Sequence, residues 1–515
     1  MERPWSNFDF VEVKFQGLVP LRRILSQVRQ HDGKTIVIEK LKQSEELRQE
    51  NEDIQLRYPG SSPVEAFRLS FFTKQLSNVR DISSLDQDDF MGYVITKKDY
   101  MPDCGEQVRV YESVIRPSRH VNNFIRGQST WDCSVAGNIF KITGYLYAQQ
   151  NGLTNVCAHV VLRTAASQFH KDRDMTYREM NQVVGIDHVN RKVGRGEPGL
   201  YPLEMCSILR AAGAWTHGVD YTTNVQEDDR PPPPFQKIVY GSVESGFPAI
   251  VMFETTDDPD VCHAIPVFGH TLNEDTWVCR AESSYFKVGA KTKYIPSESW
   301  VSSYIAHDDN FGLNYCIPRG YLHTRRDCTK LPERVCPVDS GCVVYVIGTF
   351  PQEVRTNAVE AEVIAADYLF KILEQLKDLA APWRERLRAY ATNGQLILRP
   401  LLITAHDYSE HISRVRDWSG KGLGFEMPAG GTQWLWMVEV SVPELFPANR
   451  RKVGEVVLDA EVEPRSQRHF GNFLFARLPG YFATYAGGTP EQPLYDFESC
   501  DLQTHVELHG CEEPS

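Results

Sequence analysis

Cys157 opens a stretch in which Ala158, Val161, Leu162, Ala165, Ala166 and Phe169 recur at the one-face spacing of an α-helix. The run before it, Tyr147-Ala148-Gln149-Gln150-Asn151-Gly152, is polar, so the cysteine is expected at the helix start. The macrodipole and unpaired N–H groups of a helix N-terminus favour the thiolate, the form that attacks a carbonyl carbon. Such a nucleophile needs a base within reach and a third group that fixes the base's tautomer. Two later segments carry those residue types. His263 leads the apolar run Ala264-Ile265-Pro266-Val267-Phe268, and Asp308 and Asp309 follow Tyr304-Ile305-Ala306-His307. Together they suit acyl chemistry, in which Cys157 attacks, His263 protonates the leaving amine and water hydrolyses the thioester.

Positioning these groups takes a helix set against a sheet. Ser245-Gly246-Phe247-Pro248 leads into the strand-like Ala249–Phe253, a polar loop follows, and a second strand runs from Cys262 to His270. A histidine at that sheet edge can face a helix N-terminus across a cleft. Residues 126–350 read as the catalytic domain, ending in the β-rich Val343–Ile347. Before it, residues 1–125 form an α/β region. Leu18–Gln30 and Val64–Leu76 have helical spacing there, whereas Gly92–Thr96 and Val108–Tyr111 alternate like strands. The glutamate-rich Lys42–Arg57 reads as a solvated helix or loop. Residues 351–515 read as an α+β companion domain. Val359, Val363, Ala366, Phe370 and Leu373 share one helix face, a second helix spans Trp383–Tyr390, and strands are expected at Leu396–Leu398, Trp434–Val442 and Val456–Val462. The expected fold class is α+β. Pro231–Pro234 reads as a rigid surface connector in preference to an SH3-type ligand, and Gly510–Ser515 as a frayed tail.

Four segments occur in a telling order: a glutamine shortly before Cys157-Ala158, the stretch Gly199–Gly213, Glu244–Val251, and His263–His270. Over roughly residues 145–315 this order resembles the bacteriocin-processing (double-glycine leader) branch of the papain-like cysteine peptidases and its soluble relatives. The resemblance implies a papain-like domain with N- and C-terminal α/β extensions, Cys157 as nucleophile and His263 as base. It implies Gln150 as the side-chain donor to the oxyanion, beside the backbone N–H of Cys157. Asp308 is then the third triad member, with Asp309 standing where the family has proline. Gln150 lies one residue farther from the cysteine than the family's usual spacing, which keeps Gln149 as the alternative. The longer interval between His263 and Asp308 suggests an inserted hairpin and keeps Asp309 as the alternative orienter. Membrane segments of the transporter-linked members are not expected here, so export-coupled leader processing is not implied. The implied substrates are peptide or isopeptide bonds in a protein or peptide partner. A transglutaminase-like acyl transfer uses the same triad, and an inactive papain-like domain kept for binding or sensing is the rival from another class.

Several residues compete for attention. Cys262 precedes a strand, so nothing in the sequence activates it. His159 is two positions from Cys157 and therefore on another helix face. A metal site joining His270 and His307 to Asp308 or Asp309 is a competing reading, but no HExxH or paired-ligand spacing supports one, and neither metal nor cofactor is expected. The net charge of -13 argues against a nucleic-acid partner. The twelve cysteines form no CxxC pair, which excludes a zinc knuckle and fits reduced thiols. With no secretory signal at Met1–Asn7 and no stretch of ~18 apolar residues, a cytoplasmic protein without a membrane partner is expected. Nothing in the sequence sets the oligomeric state.

Overall fold

Alternation builds the centre of the molecule. In the strand Ala249–Glu254, Ala249, Val251 and Phe253 join one apolar cluster while Ile250 and Met252 join another on the opposite face, as the two-residue period requires. Both faces are covered, so the segment reads as a continuous apolar run. Helix Phe235–Glu244 packs on the first face, and helices Cys157–Ala166 and Pro202–Ala211 on the second. The computed structural model describes residues 7–15, 18–42, 44–117, 123–151, 157–171, 174–187, 199–222, 232–254, 262–272, 294–324, 341–375, 381–413, 432–446, 451–463, 472–478, 481–484 and 505–506. The tail Gly510–Ser515 and Pro231 lie outside them. Pro232–Pro234 lead directly into helix Phe235–Glu244, and the Pro233 carbonyl accepts the Tyr221 hydroxyl at 2.7 Å.

The central sheet runs in the order Gly312–Pro318, Val301–Asp308, Cys262–Leu272, Ala249–Glu254, Gly341–Pro351, with each pair antiparallel. Leu322–Thr324 and Ala214–Asp220 complete the far edge, and Asn123–Phe124 pairs with His270 and Thr271. Because Val301–Asp308 runs against Cys262–Leu272, the end of the former lies beside the start of the latter. That topology brings Asp308 to His263.

Before it stands a four-stranded antiparallel meander of Thr35–Lys40, Ser62–Phe72, Phe90–Met101 and Gly105–Ile115. Helix Val19–Gln30 packs on it through Leu21, Ile24, Leu25 and Val28. The helical spacing of Val64–Leu76 is overturned here: the segment is mostly strand. Phe67, Leu69 and Phe71 face the helix side while Phe72 faces a second cluster. Val64, Phe67, Phe71 and Phe72 give the helical spacing while Phe67, Leu69 and Phe71 give the two-residue alternation, and hydrogen-bonding neighbours on either side decide for the strand.

Lys42–Arg57 is a helix over Glu45–Arg57, capped by Ser44, but it is not simply solvated. Glu50 is buried, with its carboxylate 2.7 Å from both Lys97 and Arg109 and 2.6 Å from the Asn151 amide. Burial alone would raise Glu50; those cations and donors hold it at about 2. The break in sequence texture near residue 125 is not a break in packing. The hairpin Ser129–Val135 and Asn138–Gly144 places Cys133, Val135, Phe140 and Ile142 against Phe72, Phe90, Tyr93 and Val114 of the meander.

A third sheet comprises Ile295–Pro296, Ile397–Thr404, Trp434–Ser441, Gly454–Asp459, Phe473–Leu478 and Tyr481–Thr484. Helix Ala358–Gln375 covers it, and a second helix spans Ala381–Thr392. The fold is α+β. Among the described residues, no helix is long and apolar enough to cross a membrane.

A buried ionic chain joins the central and third sheets. His270 meets Glu244 at 2.9 Å, Glu244 meets Arg399 at 2.7 Å, Arg399 meets Glu439 at 2.8 Å and Glu439 meets Lys452 at 2.9 Å, with every side chain at most 2% exposed. Truncation of a buried ion's partner leaves the remaining charge unpaired in low dielectric. Arg399→Ala is therefore expected to lower the unfolding free energy by about 3–5 kcal/mol, measured by urea denaturation followed through tryptophan fluorescence. A wild-type midpoint would contradict this role.

Candidate active site

The described helix Cys157–Ala166 begins at the cysteine, and its apolar side joins Ile250, Met252 and Ala264 in one cluster. This packing seats the sulfur on the strand that carries the histidine. Sγ accepts the backbone N–H of Ala264 at 3.2 Å and lies 3.9 Å from the Cys262 carbonyl oxygen. His263 stands between those two contacts in the chain. Its register partner is Phe253, whose ring it meets edge to face at 5.5 Å between centroids.

Across the sheet, His263 Nε2 lies 3.1 Å from Asp308 Oδ2 and 3.7 Å from Asp309 Oδ1. Asp308 is fixed from behind: its Oδ1 accepts the backbone N–H groups of Asn310 at 2.9 Å and Phe311 at 3.1 Å. With Nε2 committed to Asp308, Nδ1 is the ring nitrogen left for the sulfur. Burial would lower His263, but its hydrogen bond to Asp308 and the neighbouring Cys157 sulfur, with the charges of both, push it up to about 10. Burial would likewise raise Asp308, and the His263 contact and two backbone donors hold it below the usual carboxylate value. Asp309 is raised, first by burial and then by the Asp308 charge. Of the two adjacent carboxylates, Asp308 is the one bonded to the ring.

The two candidate glutamines part ways. Gln149 donates from Nε2 to the Asp309 carbonyl at 3.2 Å and accepts the Val110 N–H on Oε1 at 2.8 Å. Both ends of its amide are engaged with main chain. Gln150 is half-buried and lies against the Asp309 carboxylate, whose charged form it favours. Residues 152–156, between Gln150 and Cys157, lie outside the described residues.

His159 meets Asn181 Oδ1 at 2.9 Å and stacks edge to face on Tyr177, away from the sulfur. His270 is engaged with Glu244, and His307 accepts the Asn314 N–H at 3.1 Å on Nδ1 while Nε2 faces the Tyr145 carbonyl at 3.3 Å. Burial pushes His307 down to about 3. Neither histidine joins the cluster in which donor atoms of His263, Asp308 and Asp309 lie within 4.8 Å of one another. A cation placed there would compete with the His263 contact of Asp308.

One group was invisible in the sequence: the Ala264 N–H aimed at the sulfur. No residue type announces a backbone donor, and the only available signal is that Ala264 follows the histidine on the strand. Comparison with family models, with curated proteins and with solved structures finds no match.

An ordinary histidine titrates near ~6.5, whereas His263 in the folded chain is pushed up to about 10. Its pairing therefore adds stability that is complete below pH ~6.5 and is lost as the pH rises through about 10. The excess unfolding free energy of the wild type over His263→Gln is expected to be larger at pH ~6 than at pH ~10.5. Urea denaturation of both proteins across that range checks the sign, and a difference that is flat with pH would contradict it.

Proposed function

We propose that this chain is a papain-like cysteine hydrolase that cleaves peptide or isopeptide amide bonds. The observation that carries this reading is the convergence of three separate elements. The sulfur at the start of one helix rests on the strand beside His263, and His263 is held at 3.1 Å by Asp308 from the next strand. A domain retained only for binding has no physical need for a buried imidazole fixed on one nitrogen with a thiol beside it.

The sulfur of Cys157 attacks the substrate carbonyl, and the developing oxyanion takes the backbone N–H of Cys157 and the Gln150 amide. The His263 imidazolium protonates the departing amine, leaving a thioester. The neutral ring then takes a proton from water, whose oxygen adds to the thioester carbonyl, and collapse returns the thiol and releases the acid. Asp308 keeps Nε2 occupied throughout, so Nδ1 remains the working nitrogen. A protein or peptide is the partner this chemistry requires. A reducing, cytoplasmic setting suits it, and the seven described cysteines are all free thiols.

Assays against pooled fluorogenic peptides and an isopeptide-linked substrate test the proposal. Cys157→Ala is expected to abolish turnover while leaving the fold intact by circular dichroism. Asp308→Asn should lower turnover by ~10⁴-fold, and Asp309→Asn by much less. Full turnover in Cys157→Ala would sink the hydrolase, and a reversed ranking of the two aspartates would assign the orienting role to Asp309.

A further inference from the structure

The turn that carries Asp308 is gripped from outside its own sheet. Strand Val301–Asp308 turns back as Gly312–Pro318, with Asp308 opposite Gly312. Arg23, on helix Val19–Gln30, donates from Nε to the Leu313 carbonyl and from Nη2 to the Asn314 carbonyl, each at 2.8 Å. Gln27 stands four positions on and so on the same helix face. It donates to the Leu313 carbonyl at 2.9 Å and accepts the Asn314 amide at 3.1 Å. The Arg23 guanidinium also lies over the Tyr315 ring, 5.0 Å from its centroid.

The packing around Arg23 is close. A Cβ on Gly312 would come within 2.9 Å of Arg23 Cδ, and Gly312 has φ +117°. Asn314 has φ +49°, a left-handed conformation that costs an L residue and persists only where surrounding contacts hold it. Arg23 and Gln27 provide two of those contacts, and His307 Nδ1, which accepts the Asn314 N–H at 3.1 Å, provides a third. The other limb of the turn is held from the same unit. The Asp309 carbonyl accepts the Tyr147 hydroxyl at 3.4 Å and the Gln149 amide at 3.2 Å. Tyr147 and Gln149 are in turn bonded through their main chains to Ser113 and Val110 of the N-terminal meander.

We propose that Arg23, assisted by Gln27, is a positioning residue for the catalytic site: by clamping the Leu313 and Asn314 carbonyls it fixes the turn that aims Asp308 at His263. The inference rests on the hydrolase reading above and adds a dependence to it. The N-terminal meander and its helix become part of what assembles the site. A forked guanidinium matches two carbonyls at once, and a lysine ammonium cannot reproduce that geometry.

Titration of the His263 ring tests this without a substrate. The full-length chain is labelled with ¹³C in its histidine rings, and the His263 signal is assigned by its loss in His263→Gln. The titratable groups facing the ring are Cys157 from its helix and Asp308 and Asp309 from the strand end; Arg23 reaches it only through the turn. Asp308→Asn is expected to lower the His263 midpoint by about one pH unit or more, since an opposite charge at this range has that effect. Arg23→Ala is expected to lower it by about half a unit or more, Arg23→Lys by less, and neither is expected to add to Asp308→Asn. A midpoint that moves in Asp308→Asn but stays put in Arg23→Ala overturns the positioning role and leaves the triad standing. An Arg23→Ala effect that persists undiminished in the Asp308→Asn background also overturns it. A midpoint unmoved by Asp308→Asn removes the triad itself, and the proposal with it. Should Arg23→Ala fail to fold, Arg23→Lys and Gln27→Ala carry the test, and wild-type midpoints in both overturn the proposal.

Discussion

The 3.1 Å contact between His263 Nε2 and Asp308 Oδ2 is the constraint on which the rest of the site depends. An imidazole with both nitrogens free can rotate and exchange tautomers; one whose Nε2 is held presents a defined Nδ1 to its neighbour. The partners are 45 positions apart in the chain, and only antiparallel pairing of Val301–Asp308 with Cys262–Leu272 makes them neighbours. The helix of Cys157 must then lie on the sheet face that carries Ala264, because only there does the sulfur meet the strand beside the ring. One hydrogen bond thus requires strand order, strand direction and helix placement to be as they are.

Burying these groups has an electrostatic cost that the surroundings offset by pairing. Asp308 takes two backbone N–H groups besides the ring, and its charge and that of Cys157 keep the imidazolium favoured against burial. The same solution recurs elsewhere in the molecule. Glu50 sits among Lys97, Arg109 and Asn151, and Glu244 beside His270 and Arg399. Each of these clusters bridges elements remote in sequence, so a lost partner leaves a charge in the interior. Charge pairing in this protein fixes how its parts meet as much as apolar packing does.

Much of the site was legible in the sequence because its signals are local. The apolar spacing after Cys157 gives a helix beginning at the cysteine, the runs after Phe247 and Cys262 give two strands, and the aspartates follow a third. What was illegible depends on partners far along the chain. Val64–Leu76 fits two periods, and the strands on either side of it choose between them. The burial of Glu50 in an acidic helix follows from cations 47 and 59 positions away. The engagement of Gln149 follows from the Val110 and Asp309 main chain, and which aspartate meets the ring follows from the turn at Asn310 and Phe311. Sequence spacing carries none of these.

In the proposed hydrolase the Cys157 sulfur is chemically set apart by the imidazolium beside it, and differential alkylation tests that most directly. The folded protein is treated with a limiting amount of iodoacetamide at pH ~6, where ordinary thiols are almost entirely protonated, and the label is located by peptide mass spectrometry. Cys104, Cys262 and Cys316 are exposed while Cys157 is 7% exposed, so access alone would favour the other three. Cys157 is nonetheless expected to carry most of the label, and His263→Ala to remove this preference. Labelling that follows exposure, with Cys157 slower than the exposed thiols and unaffected by His263→Ala, would contradict it.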